Sequence, residues 1–304
     1  MNRLGRRTRP APPPDPAPDW GARIKDLATL IAPTTAITAL LIYFGYVGTR
    51  ARFAYFGVNL DLTGMSNQNL ILYGLEVVYV PAAVALILVL AAVVTHALLS
   101  RVIHVARLRQ VALAFAGFAA LAGLLLLARG VIGLLIFRVS QNETPLTSPL
   151  TLAFGPVLIL YAGWAAGTVL ARDSPGFARR YHDPGVTRLR RFVTGTVAGL
   201  VLVALFWAAN GFAGAFGLGR AVQDAYDLPG SPEVVLDTQQ QLIDVPEGIT
   251  ESPLPGEAFH FRYRGLRLLL AADDRLFLTP ANWTAESRTL VVPYNDEIRL
   301  QLDP

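Results

Sequence analysis

Glu76, Arg129 and Asn210 stand out because each interrupts a long stretch that is otherwise uncharged or nearly so. Polar groups in such a stretch can do two kinds of chemistry. They can neutralise one another as a structural ion pair, or they can line a path for an ion or a proton. An unpaired charge at mid-bilayer costs about 2.5–3.5 kcal/mol on insertion scales, so a partner at matched depth is expected. At a rise of about 1.5 Å per residue, Glu76 and Arg129 fall within roughly one helical turn of the same depth. They are therefore expected to face inward, toward each other or toward water, with Asn210 near the same level. The alternative for Arg129 is to extend its guanidinium to the membrane surface on its own.

Other chemistry is poorly supported. The chain has no phosphate loop, dinucleotide fingerprint, nucleophile elbow or His-Glu-x-x-His. It has no cysteine, which excludes disulfides and thiolate metal sites. His96, His104 and His182 lack acidic partners at ligand spacing, so solvated or interfacial roles are expected of them. No cofactor is expected. All the basic residues except Lys25 are arginine, a sign of coding bias and not of nucleic-acid binding.

The elements that must hold these groups are long and apolar. Charged residues make up 16% of the 304-residue chain and hydrophobic residues 53%, against about 25% charged in ordinary soluble domains. Five windows supply the roughly 20 apolar residues that a membrane-crossing helix needs. They are Leu27–Thr49, Val77–Ser100, Val111–Phe137, Thr144–Ala171 and Phe192–Gly219. Pro33, Pro81 and Pro156 are expected to kink their helices. Gly163–Gly167 and Gly195–Gly199 have the G-x-x-x-G spacing that lets helix backbones approach, within the chain or in an oligomer.

Basic residues alternate between the connections. The tail carries Arg3, Arg6, Arg7, Arg9, Arg23 and Lys25; the second loop Arg101, Arg107 and Arg109; the fourth Arg172, Arg179, Arg180, Arg188, Arg190 and Arg191. The first loop has only Arg50 and Arg52, and the third only Arg138. By the positive-inside rule the N-terminus is cytoplasmic and, after five spans, the C-terminus is outside. The Pro- and Arg-rich residues 1–26 read as a disordered cytoplasmic tail leading into an uncleaved first anchor.

Between the first two windows lies RFAYFGVNLDLTGMSNQNLIL, residues 52–72, with the loop proper over 50–70. It is too polar to cross a bilayer and too apolar for a solvent loop. Phe53, Tyr55 and Phe56 crowd its start, which points to aromatic rings resting at the outer headgroup level. A lid over an outward-facing cavity is the sharper reading. Ser66 is expected to cap the next helix. An aromatic run, then Phe-Gly-Val, Leu-Asp-Leu and a Ser-led helix over residues 35–80 resembles a group of actinobacterial multi-pass membrane proteins of no known activity. The resemblance implies a bacterial inner-membrane location and a multi-pass topology.

From Arg220 the pattern changes to period two. Residues 220–304 carry seven basic and fourteen acidic residues, a net charge of −7. Phe259, Phe261 and Tyr263 alternate with His260, Arg262 and Arg264, and Ile298, Leu300 and Leu302 with Arg299 and Gln301. Further strands are expected at 233–237, 241–245, 266–270, 275–278 and 289–292. Asp273-Asp274 should turn a hairpin, Gly265 should bend a long strand, and 240–257 is otherwise a loop. The fold class expected is a five-helix membrane bundle over 27–219 followed by a small extracytoplasmic all-β domain over 220–304, an antiparallel barrel or sandwich. The row His260, Arg262 and Arg264 is a candidate face for an anionic partner, or a solvated face balanced by carboxylates. Asn282-Trp283-Thr284 matches a glycosylation sequon.

Two functions fit. One is a non-catalytic membrane protein that presents the β domain to an envelope protein or anionic ligand. The other is a transporter or channel component with a polar cavity near Glu76, Arg129 and Asn210. Besides any such partner, the lipid bilayer is expected and nucleic acid is not.

Overall fold

The structure, a computed structural model, describes residues 20–103, 109–256, 258–272, 274–284 and 286–303. Most of the expected tail and His104 lie outside these. The helices are α1 (Trp20–Tyr55), α2 (Asn67–Ile103), α3 (Arg109–Leu135), α4 (Phe137–Gln141), α5 (Thr147–Asp173), α6 (Pro175–Tyr181) and α7 (Pro184–Asp227). The strands are β1 (Glu233–Thr238), β2 (Thr250–Pro253), β3 (Phe261–Ala272), β4 (Arg275–Pro280), β5 (Leu290–Pro293) and β6 (Ile298–Asp303).

Contacts divide the chain after Leu40. In the first unit, the part of α1 up to Leu40, Thr38 Oγ1 donates to the Thr34 carbonyl at 2.9 Å. The second unit, residues 41–304, holds the rest of α1 and all the other elements.

Among the described residues, four helices are long and apolar enough to cross a membrane: Asn67–Arg101, Arg109–Leu135, Thr147–Asp173 and Pro184–Gly230. The first window of the sequence lies on α1. The starts of these helices follow local chemistry. Ser66 Oγ accepts from the Asn69 N–H at 3.3 Å, the expected cap of α2. Ser174 caps α6 and Asp183 caps α7, each followed by a proline at the first helical position. Pro81 and Pro156 sit inside α2 and α5.

Glycine decides which helices meet. A side chain on Gly45 or Gly74 would overlap the facing backbone, so α1 and α2 cross there at backbone contact. α3 lies along α5 in the same manner, through Gly123, Gly130, Gly133 and Gly155. The expected Gly163–Gly167 and Gly195–Gly199 pairs do not bring two long helix backbones of this chain together. Gly167 is covered by the Tyr181 ring, and the other three face open space. α2 is nearly bare, with Leu86 71% and Leu90 65% exposed. Apolar surface on that scale requires a non-aqueous surrounding or a partner.

The C-terminal region is one antiparallel sheet in the order β5-β4-β3-β1-β6, with β2 also paired to β3. It replaces the expected barrel or sandwich. β3 is long enough to pair with β2 along one half and β4 along the other, so the sheet branches and does not close on itself. The branch is at Gly265 (φ 85°), the expected bend, whose N–H donates to Glu233 Oε1 at 2.7 Å. The β3–β4 hairpin turns where expected, with Asp274 in the left-handed region at φ 54°; Asp273 is outside the described residues.

Two expectations fail locally. Residues 241–245 are not a strand. Leu242, Val245 and Ile249 cover the core of Val234, Leu236, Tyr263, Leu266 and Leu278, and the Leu242 N–H donates to the Tyr263 hydroxyl at 2.8 Å. An apolar lid and a strand look alike in sequence over so few residues. β2 forms instead at 250–253, inside the stretch read as loop. The helical run of α7 also continues past the composition change at Arg220 to Asp227. Arg267 of β3 then donates to the Leu228 carbonyl at 3.1 Å, satisfying an acceptor just beyond the helix.

Candidate functional site

The stretch after the first window becomes a seat for the sheet. α1 ends at Tyr55, and Gly57 at φ 71° reverses the chain. A short turn of helix, Leu60–Thr63, is opened by Asn59, whose side chain accepts from the Asp61 N–H at 3.1 Å. This turn folds Phe53, Phe56, Val58, Leu60 and Leu70 into one cluster with Ala221, Leu228 and Phe277. Phe277 reaches it because β4 alternates: Leu276 and Leu278 enter the sheet's own core, and Phe277 points to the opposite face.

Phe56 is 0% exposed and Phe53 3%. The Trp283 ring stands edge-on to Phe56 at 5.0 Å between centroids, and the Thr289 hydroxyl donates to the Phe56 carbonyl at 2.6 Å. The expectation that Phe53, Tyr55 and Phe56 all rest at the headgroup level is therefore corrected. Two of the three are buried beneath the sheet, and Tyr55, at 37%, keeps substantial exposure. Aromatic rings suit a protein core as well as an interface, so composition alone does not separate the two destinations. Beside the seat, Arg52 Nε lies 2.5 Å from Asp224 Oδ2, tying the end of α1 to the end of α7.

The polar residues of the long apolar helices do not converge. Arg129 pairs with Glu143, in the turn before α5. Glu76 Oε1 lies 3.1 Å from Arg220 Nη2 of α7. The Tyr43 hydroxyl donates to Asn210 Oδ1 at 2.9 Å, and the Tyr43 ring stacks on Phe206. The expected approach of Glu76 to Arg129 is thus replaced by three separate links. The reason is helix adjacency. α3 packs along α5, so Arg129 meets the carboxylate in the turn that leads into α5. Glu143 had a signal in sequence, as an acidic residue at the edge of a window, but depth matching alone did not select it.

The basic row on β3 is also rearranged. Asp237 of β1 is directly opposite Arg262 of β3 and Arg299 of β6. Arg262 Nε donates to Asp237 Oδ1 at 2.7 Å and Arg299 Nη2 to Oδ2 at 2.6 Å. The Asp237 side chain is 0% exposed beneath them. Bonding to Arg262 above all, and to Arg299, holds its carboxyl below the usual carboxylate value, while burial pushes the other way. Arg262 is therefore half-buried and committed to Asp237, and the row is not a continuous exposed basic strip. Arg264 lies 4.0 Å from Asp303, and His260 is exposed. Asp237 was missed because pairing across three strands leaves no trace in any one of them.

No family model, curated protein or solved structure matches this chain. Among the described residues no group of three or more His, Asp or Glu side chains could hold a metal ion. His96 rests against Tyr161 and Trp164, and His182 Nδ1 lies 2.8 Å from the Ala178 carbonyl. What the geometry provides is a sheet seated on a helical bundle, with Arg52 paired to Asp224 beside the seat.

Proposed function

We propose that this is a non-catalytic, multi-pass protein of a bacterial plasma membrane. Five helices, α1 included, cross the bilayer with the N-terminus in the cytoplasm, and the sheet lies outside as a binding module. The observation that carries the reading is the seat. Phe56, Phe277 and Trp283 pack in one cluster, and Thr289 bonds the loop backbone. A tethered module that served only to be anchored would need no such burial; a fixed orientation is useful when a surface must be presented. The bare apolar faces of α2 and the alternation of basic loops support the membrane placement and its orientation. The presented surface is the margin of the sheet, with exposed Leu302 on the β6 edge and exposed Tyr294 just past β5 at the other edge, offered to an envelope protein or an anionic ligand.

A photocrosslinking amino acid placed at Leu302 or Tyr294 in native membranes should give a discrete heavier adduct. The same probe at Leu86 should give none. The reading is overturned if the sheet positions give no adduct while the purified chain in vesicles carries a solute flux abolished by Glu76→Gln.

A further inference from the structure

α5 and α7 meet where Leu152 and Ala153 pack on Ala204, and on the α6 side of that contact, from Val157 and Val201, they stand apart. The separation leaves a groove of about 650 Å³, within the roughly 300–1,000 Å³ range of ligand clefts. Its wall is apolar and aromatic. Tyr161 and Trp164 stack at 5.4 Å, and Gly163 leaves open space between the helices. At the mouth the chemistry changes. Tyr181 of α6 covers Gly167, and the Arg190 guanidinium lies over the Tyr181 ring at 3.9 Å. Arg190 Nη2 donates to the Tyr181 carbonyl at 3.2 Å, which uses one of five N–H donors. Thr194 lies one turn further into the groove, and Arg179, Arg180 and Arg191, neighbours in sequence of Tyr181 and Arg190, are exposed.

We propose that this groove binds an anionic phospholipid, with one acyl chain against Tyr161 and Trp164 and the phosphate at Arg190. The groove lies on helices long and apolar enough to span a bilayer, so water is a poor occupant and the choice is between an acyl chain and another helix. A helix about 10 Å across occupies roughly 1,200 Å³ in three turns, about twice the groove. An acyl chain is thin enough to enter. The positive mouth then selects a negative headgroup, as basic pockets between membrane helices do. α6, short and arginine-bearing, lies where headgroups would be and its Tyr181 orients the Arg190 guanidinium. This inference depends on the membrane placement of α5 and α7 and is independent of what the sheet presents.

The test is native mass spectrometry of the detergent-purified full chain, titrated with phosphatidylglycerol and with phosphatidylcholine of the same acyl chains. Phosphatidylglycerol should be preferred, and Arg190→Gln should reduce that preference about five-fold, the contribution of one arginine at an anionic surface. Arg190→Lys should keep most of it, which separates lost charge from a disturbed fold. Gly163→Leu, whose side chain enters the open space, should weaken binding of both lipids. Arg138→Gln, toward the sheet end, should leave the preference intact. Equal binding of the two lipids, or a preference that survives Arg190→Gln, overturns the proposal. So does a dimer in the parent spectrum that Gly163→Leu abolishes, since the groove would then be an interface between chains.

Discussion

Phe56→Ala is the sharpest perturbation of the seat. The ring is fully buried, and its neighbours Phe53, Phe277 and Trp283 belong to different elements held by this packing. Truncating a buried phenylalanine costs about 3–5 kcal/mol, the transfer term plus the cavity left behind. The upper half of that range is expected, because Trp283 and Tyr55 both lose an edge-to-face partner. The Thr289 bond is made to the Phe56 carbonyl and survives the change, so the loss reports packing. For a unit of 60–100 residues, 1 kcal/mol moves the melting temperature by about 4–8 °C. A loss of about 4 kcal/mol therefore lowers the melting of the sheet by about 16 °C or more. The purified full chain would be melted in detergent and followed by circular dichroism in the β region, with proteolysis at Arg288 as a second readout. Arg288 is already exposed, and undocking should loosen its segment and speed cleavage there. Tyr55→Ala, at a partly exposed ring, is the control and should shift melting by a few degrees at most. If Phe56→Ala behaves like the control, the sheet is not held by this cluster and the presentation argument fails with it.

Arg129 and Glu143 should couple in a double-mutant cycle by about 1–3 kcal/mol, reduced by the partial exposure of Arg129, whereas Glu76 and Arg129 should be additive. Coupling between Glu76 and Arg129 with none to Glu143 would refute the pairing seen here. The Asp237 carboxyl is held below its ordinary value, so its contribution is present above the unfolded pKa of about 3.9 and is lost as pH falls through the folded value. Asp237→Asn should lower the melting temperature at neutral pH and flatten the acid limb below about pH 4; an unchanged acid limb would count against the clamp. Reporter fusions after Arg109 and Arg191 should read cytoplasmic and those after Gln141 and Pro304 extracytoplasmic. A cytoplasmic Pro304 fusion would reverse the proposed topology.

Features governed by short-range rules were legible in the sequence. Four of the apolar windows coincide with helices long enough to span a membrane, because a run of uncharged residues has few other stable forms. Alternation located β1, the two halves of β3, β4, β5 and β6, because neighbouring side chains of a strand face opposite sides. Ser66 and Gly265 were readable for the same reason: a cap and a left-handed backbone are properties of one residue and its immediate neighbours. Tertiary structure decided what each residue meets. Arg129 met Glu143 because the glycine contacts of α3 lie against α5, and Glu76 met Arg220 because α2 packs beside α7. Phe56 went under Phe277 because β4 turned one ring away from its own core, and Asp237 acquired two arginines because β1 lies between β3 and β6. A charge or a ring carries its need for a partner in its own chemistry, but the partner is chosen by which backbones lie side by side, and that is settled only when the whole chain packs.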